Sequence, residues 1–538
     1  MIVGGGSAGL VLANRLSTDP GTRVLVLEAG RPDHRWDPIV RVPAALAFGW
    51  GNPRYDWCYE SEAEPGLNGR SLHVPRGKLL GGSSSINGMV YQRGNPADYD
   101  VWAQREGLEN WGWAHCSPYF RKLENRLVDG EPGGPQLLEQ ANAEGPLYDA
   151  FFEAVRQAGH DVVDDVNGPR QRGFSRTTRT IHRGRRYSAA DAYLHPIVAS
   201  RPTLTIKTRA MVTGVVLEGG RAVGVRYREG DGPVHEVRSA EVILAGGAVN
   251  SPQLLQLSGI GDPRHLESLG IPVQAELPGV GRNLQDHLDV HLQHACSQPV
   301  SLGPMRKAHK VPGMAAEWLR HGTGAAATNH FEAGGFACTA MASDGVPDMM
   351  MLFAPVAMKW ADSERLRGHG YQVHLSVMRS HNRGTVRITS RDPLRKPALE
   401  VGYLTHDEDV RRWVEAFHVA REILAQPAFS RYEGGELLPG PAVQKDAQVA
   451  EWVRSWAQTG LHPTGTCRLG LDAEAVTDPD TLRVHGVDGL RVVDASIIPD
   501  LPNSNTYAPT MMVAEKAADL VLGNTPLAPD APLKLTSA

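Results

Sequence analysis

Long apolar runs, clustered cysteines and any concentration of positive charge are missing from this chain of 538 residues. No stretch approaches the roughly twenty consecutive apolar residues that a membrane-crossing helix needs, and a mean hydropathy of −0.30 fits a globular chain. The cysteines are few: Cys58, Cys116, Cys296, Cys338 and Cys467, with no Cys-x-x-Cys pair and no clustered histidine partners. Neither a disulfide framework nor a zinc site is indicated, and no bound metal is expected. A formal charge of −5 with dispersed Lys and Arg offers no basic field to nucleic acid, which is excluded as a partner. Reduced thiols point to a cytoplasmic enzyme, with attachment to a membrane surface as the alternative. The chain opens inside its first strand, so a few residues are expected upstream of Met1.

Glycine (58) and proline (38) are plentiful, which predicts many turns. The most informative turn is the first. Met1-Ile-Val3 runs into Gly4-x-Gly6-x-x-Gly9, a helical stretch follows from Leu10 to Leu16, and a second strand, Arg23-Val-Leu-Val-Leu-Glu28, ends on an acid. Glycines let the backbone turn tightly against a pyrophosphate. The helix N-terminus offers unpaired N–H groups and a positive dipole end, and Glu28 suits a ribose diol. This unit predicts an adenine dinucleotide.

The stretch from Arg31 to Gly112 reads as loop-rich, and Gly145 to Gly159 carries helical spacing at Leu147, Phe151, Phe152 and Val155. Strands are predicted at Leu204–Thr208, Met211–Leu217 and Ala222–Tyr227, and Glu241–Ala248 reads as a buried strand beside the first. From about Leu288 to Val449 the apolar runs Asp348–Phe353 and Tyr371–Met378 predict a separate antiparallel sheet, with a helix over Val410–Leu424. Gly489–Ser496 reads as a strand into a turn, Met511–Leu522 as a helix, and Gly523–Ala538 as a loose extension.

Arg76-Gly-Lys-Leu-Leu-Gly-Gly-Ser-Ser-Ser-Ile-Asn-Gly88 is a second glycine- and hydroxyl-rich segment. Alone it reads as a loop; beside a dinucleotide, its glycines admit a flat ring and its Ser and Asn can bond ring heteroatoms. His462 lies on a Gly/Pro-bounded turn, His462-Pro-Thr-Gly-Thr-Cys467, and Pro502-Asn-Ser-Asn505 precedes the last helix. Taken alone, His462 among 21 histidines reads as a structural or surface residue.

Together these segments resemble the glucose-methanol-choline (GMC) oxidoreductases, flavoproteins that oxidise alcohols to carbonyls. The resemblance is also carried by Leu27-Glu-Ala-Gly30, Ala245-Gly-Gly-Ala-Val-Asn-Ser-Pro252, Leu257-Ser-Gly-Ile-Gly261, Gly279-Val-Gly-Arg-Asn-Leu-Gln-Asp-His287, Arg491-Val-Val-Asp-Ala-Ser496 and Ala514-Glu-Lys516. Within the family the chain resembles bacterial choline dehydrogenases and related aliphatic alcohol dehydrogenases. The implied fold class is α/β (α+β overall), a Rossmann-like FAD-binding domain interleaved with an antiparallel-sheet substrate-binding domain. Residues 1–287 would mainly bind FAD, 288–449 mainly bind substrate, 450–522 return to the FAD domain with the catalytic pair, and 523–538 form a tail.

Carried over by position, the resemblance implies FAD pyrophosphate on Gly4, Gly6, Ser7, Ala8 and Gly9, and ribose on Glu28. It implies further cofactor contacts at Gly82, Ser84, Asn87, Gly88, Val212, Ala245, Asp494 and Ala495. His462 and Asn505 take the catalytic His/Asn places, and Asn503 shapes the loop. A histidine near its neutral pKa can take the alcohol proton while flavin N5 takes hydride, and Asn505 can donate to the developing alkoxide.

Some relatives tether FAD through a histidine where this chain has Ile86, whose alkyl side chain cannot form that bond, so FAD is expected to be non-covalent. Choline-oxidising relatives place an aromatic before the catalytic histidine, where this chain has Leu461, and a Cys-rich run where it has Thr464-Gly-Thr466. Phe331-Glu332 keeps the glutamate that such relatives set near the cationic head; an exposed or salt-bridged carboxylate is the alternative. The expected substrate is a small primary alcohol, with choline as the alternative reading and a flavin-containing lyase or non-catalytic flavoprotein as readings from other classes. The electron acceptor is open among a quinone, an electron-transfer protein and dioxygen.

Overall fold

Two hydrophobic patterns in the chain give two different sheets. Val24-Leu-Val-Leu-Glu28 and Val242-Ile-Leu244 are apolar at successive positions, as in strands covered on both faces, and both are almost wholly buried. The computed structural model describes residues 1–126, 133–168, 170–343, 345–357 and 368–531. The strands of its two main sheets are, in chain order, β1 (Ile2–Val3), β2 (Val24–Glu28), β3 (Leu204–Thr208), β4 (Val242–Leu244), β5 (Leu288–Cys296), β6 (Ala333–Ala337), β7 (Met349–Ala354), β8 (Gly370–Val377), β9 (Glu433–Leu438) and β10 (Leu490–Val492). Five helices concern the site: α1 (Ser7–Leu16), α2 (Pro146–Gln157), α3 (Gly247–Leu257), α4 (Asp407–Leu424) and α5 (Tyr507–Leu522).

Strands β3, β2, β1, β4 and β10 lie side by side in that order, all parallel. Ile2 pairs with Val26 on one side and with Ile243 on the other, as the expected strand beside the first. The chain thus leaves β1 in both directions, which opens a crevice at the carboxyl ends of the strands where the winding reverses. The strands predicted at 211–217 and 222–227 are present, but they join Val234–Arg238 in a separate three-stranded antiparallel sheet.

Strands β6, β7, β8, β5 and β9 form the expected antiparallel sheet. Helices α2 and α4 cover it, with Phe151 stacked on Phe353 at 4.7 Å. This second core also takes Tyr59, Leu72 and Trp452 from outside 288–449, so the chain passes between the two cores more than once. The first core joins α1 and α5 to the parallel sheet through residues such as Leu10, Val26, Val492 and Met511.

Helix α5 starts at Tyr507, four residues before the predicted Met511, and so contains Pro509. Proline is tolerated there because the first-turn N–H groups have no partner within the helix. Gly523 and the residues to 531 form no helix or strand, yet they are tied down: Leu527 N–H donates to Tyr119 Oη at 3.1 Å and Asp530 pairs with Arg121. The expected loose extension is therefore packed where it is described, and residues 532–538 lie outside the described residues. No described helix is long and apolar enough to cross a membrane.

Candidate active site

Of the sequence-predicted site residues, all but Gly9 and Glu332 line a single cavity of about 580 Å³. It begins at the carboxyl ends of the parallel strands, where Val3, Glu28, Ala245 and Asp494 meet, and continues under the antiparallel sheet. The glycines of the first turn divide the work. Gly4 has φ +109°, and a Cβ there would lie 2.4 Å from the Ala245 carbonyl oxygen. A Cβ on Gly9 would lie 1.9 Å from the Gly4 carbonyl oxygen, so Gly9 lets α1 pack on the turn and does not itself face the cavity. Gly6 caps α1 without any side-chain hydrogen bond, which leaves the first-turn N–H groups available to an anion.

Glu28 accepts from Gly5 N–H at 2.8 Å and Gly30 N–H at 2.6 Å, clamping the glycine turns that flank β2. Complete burial raises its pKa to about 7, against the opposing pull of those two N–H groups. Gly82 packs on Gly6, where a Cβ would stand 2.8 Å from the Gly6 Cα. Ser84 Oγ donates to Gly81 O at 2.6 Å and accepts from Ala189 N–H at 3.0 Å. Asn87 Oδ1 accepts from Arg186 at 2.7 Å and from Met89 N–H, while a Cβ on Gly88 would meet nothing within 4 Å. Burial pushes the Arg186 guanidinium down to about 9. On the far wall Asp494 accepts from Ser251 Oγ, Gly247 N–H and Ser496 N–H, and burial raises its pKa. Val212 and Ala495 complete the predicted lining. These residues fit FAD: open N–H groups at a helix end, glycine walls, and unfilled space beyond Gly88.

His462 and Asn505, the pair expected to be catalytic, line the same cavity. His462 Nδ1 is 3.0 Å from His287 Nδ1, and His287 Nε2 is 3.2 Å from the Met378 carbonyl oxygen. A carbonyl only accepts, so His287 Nε2 carries a proton; neutral His287 then accepts at Nδ1, and His462 must donate from Nδ1. His462 Nε2 is left with its lone pair. The expected near-neutral pKa is corrected here: burial, followed by the repulsion of His287 and Arg76, holds His462 well below 6.5. Burial lowers His287 to about 4, so both rings are neutral at pH 7.

Asp286 sets this turn. Its Oδ1 accepts from His462 N–H at 2.6 Å, and Oδ2 accepts from Tyr403 Oη at 2.5 Å and from Thr459 Oγ1. Leu461 sits at φ +67°, with its carbonyl held by Arg76 at 2.7 Å. Asn505 Oδ1 is buried with no hydrogen-bond partner among the described residues, whereas Asn503 is spent on the fold, donating to the Pro347 carbonyl at 2.5 Å. His287, Asp286 and Arg76 received no role in the sequence reading. The signal was the segment Asn283–His287, but 175 residues separate His287 from His462, and no local pattern reports that pairing.

Of the readings held for Glu332, the structure shows the salt-bridged one and not a carboxylate in the cavity wall. Its carboxylate is buried against Arg179 at 2.8 Å and accepts from Ala143 N–H at 2.8 Å and from Thr328 at 2.5 Å, away from the cavity. A carboxylate that does line the cavity under the antiparallel sheet is Asp289, beside His291, His374 and Phe331.

The chain matches the GMC oxidoreductase N-terminal domain over residues 1–289 and the C-terminal domain over residues 380–514. The oxygen-dependent choline dehydrogenase of Staphylococcus xylosus is 49% identical over 98% of this chain and 95% of its own. Pyridoxine 4-oxidase from Mesorbium loti superposes with a TM-score of 0.87 at 32% identity, covering 97% of this chain and 99% of that one. A formate oxidase of Aspergillus oryzae RIB40, studied for modification of its FAD, superposes with a TM-score of 0.91 at 25% identity, covering 97% of each chain. A chain that matches both domains, and keeps half its residues in relatives along nearly its whole length, belongs to the GMC oxidoreductase family and is an FAD-dependent, alcohol-oxidising enzyme.

Proposed function

We propose that the chain oxidises a primary alcohol to an aldehyde, with His462 as the base, Asn505 as the partner of the alcohol oxygen and FAD held without a covalent bond. Residues 1–287 and 450–522 mainly hold FAD in this reading, and residues 288–449 mainly hold the alcohol. The observation that carries it is the bonded series from the Met378 carbonyl through His287 to His462, which leaves one imidazole lone pair on a wall of the cavity.

FAD, when bound, supplies a hydride acceptor at flavin N5. His462 Nε2 takes the hydroxyl proton, since a carbon bearing an alkoxide releases hydride far more readily than one bearing a hydroxyl. The imidazolium so formed keeps its Nδ1–H on His287. The Asn505 side-chain NH2 donates to the oxygen as its charge grows. Ile86 offers only an alkyl side chain to the cavity, which supports non-covalent FAD. The final electron acceptor would be a quinone, an electron-transfer protein or dioxygen.

For the alcohol itself, Leu461 favours an uncharged substrate because it offers no aromatic face next to His462. Choline is the second reading, and Asp289 favours it: a carboxylate in the cavity wall compensates an ammonium that has left water, and Phe331 adds a ring nearby. The Staphylococcus relatives bear choline dehydrogenase as their name. Anaerobic mixing with a panel of choline, hexanol and benzyl alcohol tests both levels. Loss of the oxidised-flavin absorbance with at least one primary alcohol is expected, and an unchanged spectrum with all of them sinks the reading. A higher kcat/KM for choline than for every neutral alcohol selects the second reading.

A further inference from the structure

We infer that Asp289, His291 and His374 form a binding site for a first-row transition-metal dication such as Zn²⁺ in the wall of the alcohol cavity. The argument begins with strand register. Residues i and i+2 of a strand share a face, so Asp289 and His291 of β5 point the same way, while Leu288, Val290 and Leu292 fill the core behind them. In the antiparallel pairing of β5 with β8, His291 stands directly opposite His374. Opposed side chains on such a ladder are nearest neighbours. The two rings accordingly have centroids 4.0 Å apart, and Asp289 Oδ2 lies 2.8 Å from His374 Nδ1 and 3.4 Å from His291 Nε2.

Two imidazoles and a carboxylate are the donor set of many Zn²⁺, Fe²⁺ and Cu²⁺ sites, and bonds of about 2.0 to 2.1 Å need donors only about 3 to 3.5 Å apart. One donor atom from each residue falls within 4.8 Å of the other two, a distance that small side-chain rotations close. Gln372 Nε2 lies 2.8 Å from the second nitrogen of His374, and Gln293 Nε2 donates to Gln372 Oε1 at 2.9 Å, which together fix the orientation of the ring.

Two other His/Asp groupings of similar size show why this one is singled out. Asp33 and Asp191, beside His195, are both neutralised by Arg41, and Asp56, beside Cys58 and His73, accepts from the backbone N–H groups of Gly51, Cys58 and Arg76. Asp289 has no Lys or Arg partner among the described residues, only the two histidines, and its Oδ1 is buried without a hydrogen bond. A dication would supply the missing positive charge. Because all three residues line the cavity, the ion and an alcohol compete for the same space; that competition rests on the proposed function, whereas binding of the ion does not.

The test uses the FAD-loaded enzyme, stripped with a chelator and titrated with Zn²⁺ by equilibrium dialysis. One Zn²⁺ per chain is expected, with affinity falling at least about 100-fold in His374→Asn and in His291→Gln, more than the roughly 10- to 100-fold typical of an outer-contact loss. X-ray absorption of the zinc-loaded wild type is expected to show two imidazoles and no sulfur, a readout that survives if the variants fold poorly. Zinc bound equally by wild type and the double variant, a sulfur in its shell, or no bound zinc overturns the inference. In anaerobic flavin reduction, bound zinc is expected to raise the apparent KM for the alcohol. Zinc held by two imidazoles that leaves this KM unchanged keeps the metal site and removes the alcohol from this part of the cavity.

Discussion

The proposed role of His462 as a base rests on surroundings that keep it neutral and on its place in the wall of the cavity. His462→Ala is expected to slow anaerobic flavin reduction by about 10² to 10⁴, the usual worth of a positioned base, with FAD still bound. Unchanged reduction kinetics would remove it from the mechanism. The pH dependence has a definite sign. With its pKa held well below 6.5, His462 stays unprotonated from neutral pH upward, so the rate is lost only as pH falls below the ordinary histidine range. His287 is the second cause of that depression after burial, so His287→Asn is expected to move the acid limb of the pH–rate profile toward neutrality. A limb that stays in place or moves the other way breaks the proposed coupling. Glu332 offers the contrasting case. Glu332→Ala strands Arg179 in the interior, which is expected to cost about 3 to 5 kcal/mol in urea unfolding while leaving the choline-to-hexanol specificity ratio unchanged.

The β1-turn-α1 unit works as a backbone device. Gly9→Ala would press a methyl into the Gly4 carbonyl, and such overpacking typically costs about 1 to 3 kcal/mol. Because the displaced atoms belong to the turn proposed to hold the pyrophosphate, the flavin-to-protein ratio of the purified variant is expected to drop; full flavin content would contradict that placement. The segment Gly82–Ser85 and the residues after it bring Ile86 to the cavity beside Asn87. Acid precipitation is accordingly expected to release unmodified FAD into the supernatant, and flavin that stays with the pellet would refute it. These elements were legible in the sequence because turns and periodic strands are local: Gly4-x-Gly6-x-x-Gly9, the run Val24–Glu28 and the helix Asp407–Leu424 announce themselves over a few residues. The start of α5 was not, because Pro509 reads as a breaker until its first-turn position is known.

Across the whole molecule, burial of ionisable groups ties stability to acidity. His287 titrates near 6.5 when unfolded but near 4 in the fold, so the unfolded chain binds more protons between those values and stability falls as pH drops through that window, by about 3 kcal/mol. Thermal unfolding of wild type and His287→Asn from pH 7 to pH 4 checks this: the variant is expected to lose less stability, and parallel curves would contradict it. The sequence by itself determined the dinucleotide turn and both sheets, because each is carried by residue type and short spacing, while the choice of His462 and Asn505 as a pair came from the resemblance of whole segments to the GMC family. Only the tertiary structure decided which groups surround that pair. Burial and through-space contact have no local signature, so the sequence could not say that Glu332 is spent on Arg179, that Asp289 lines the cavity, or that His287 sits against His462.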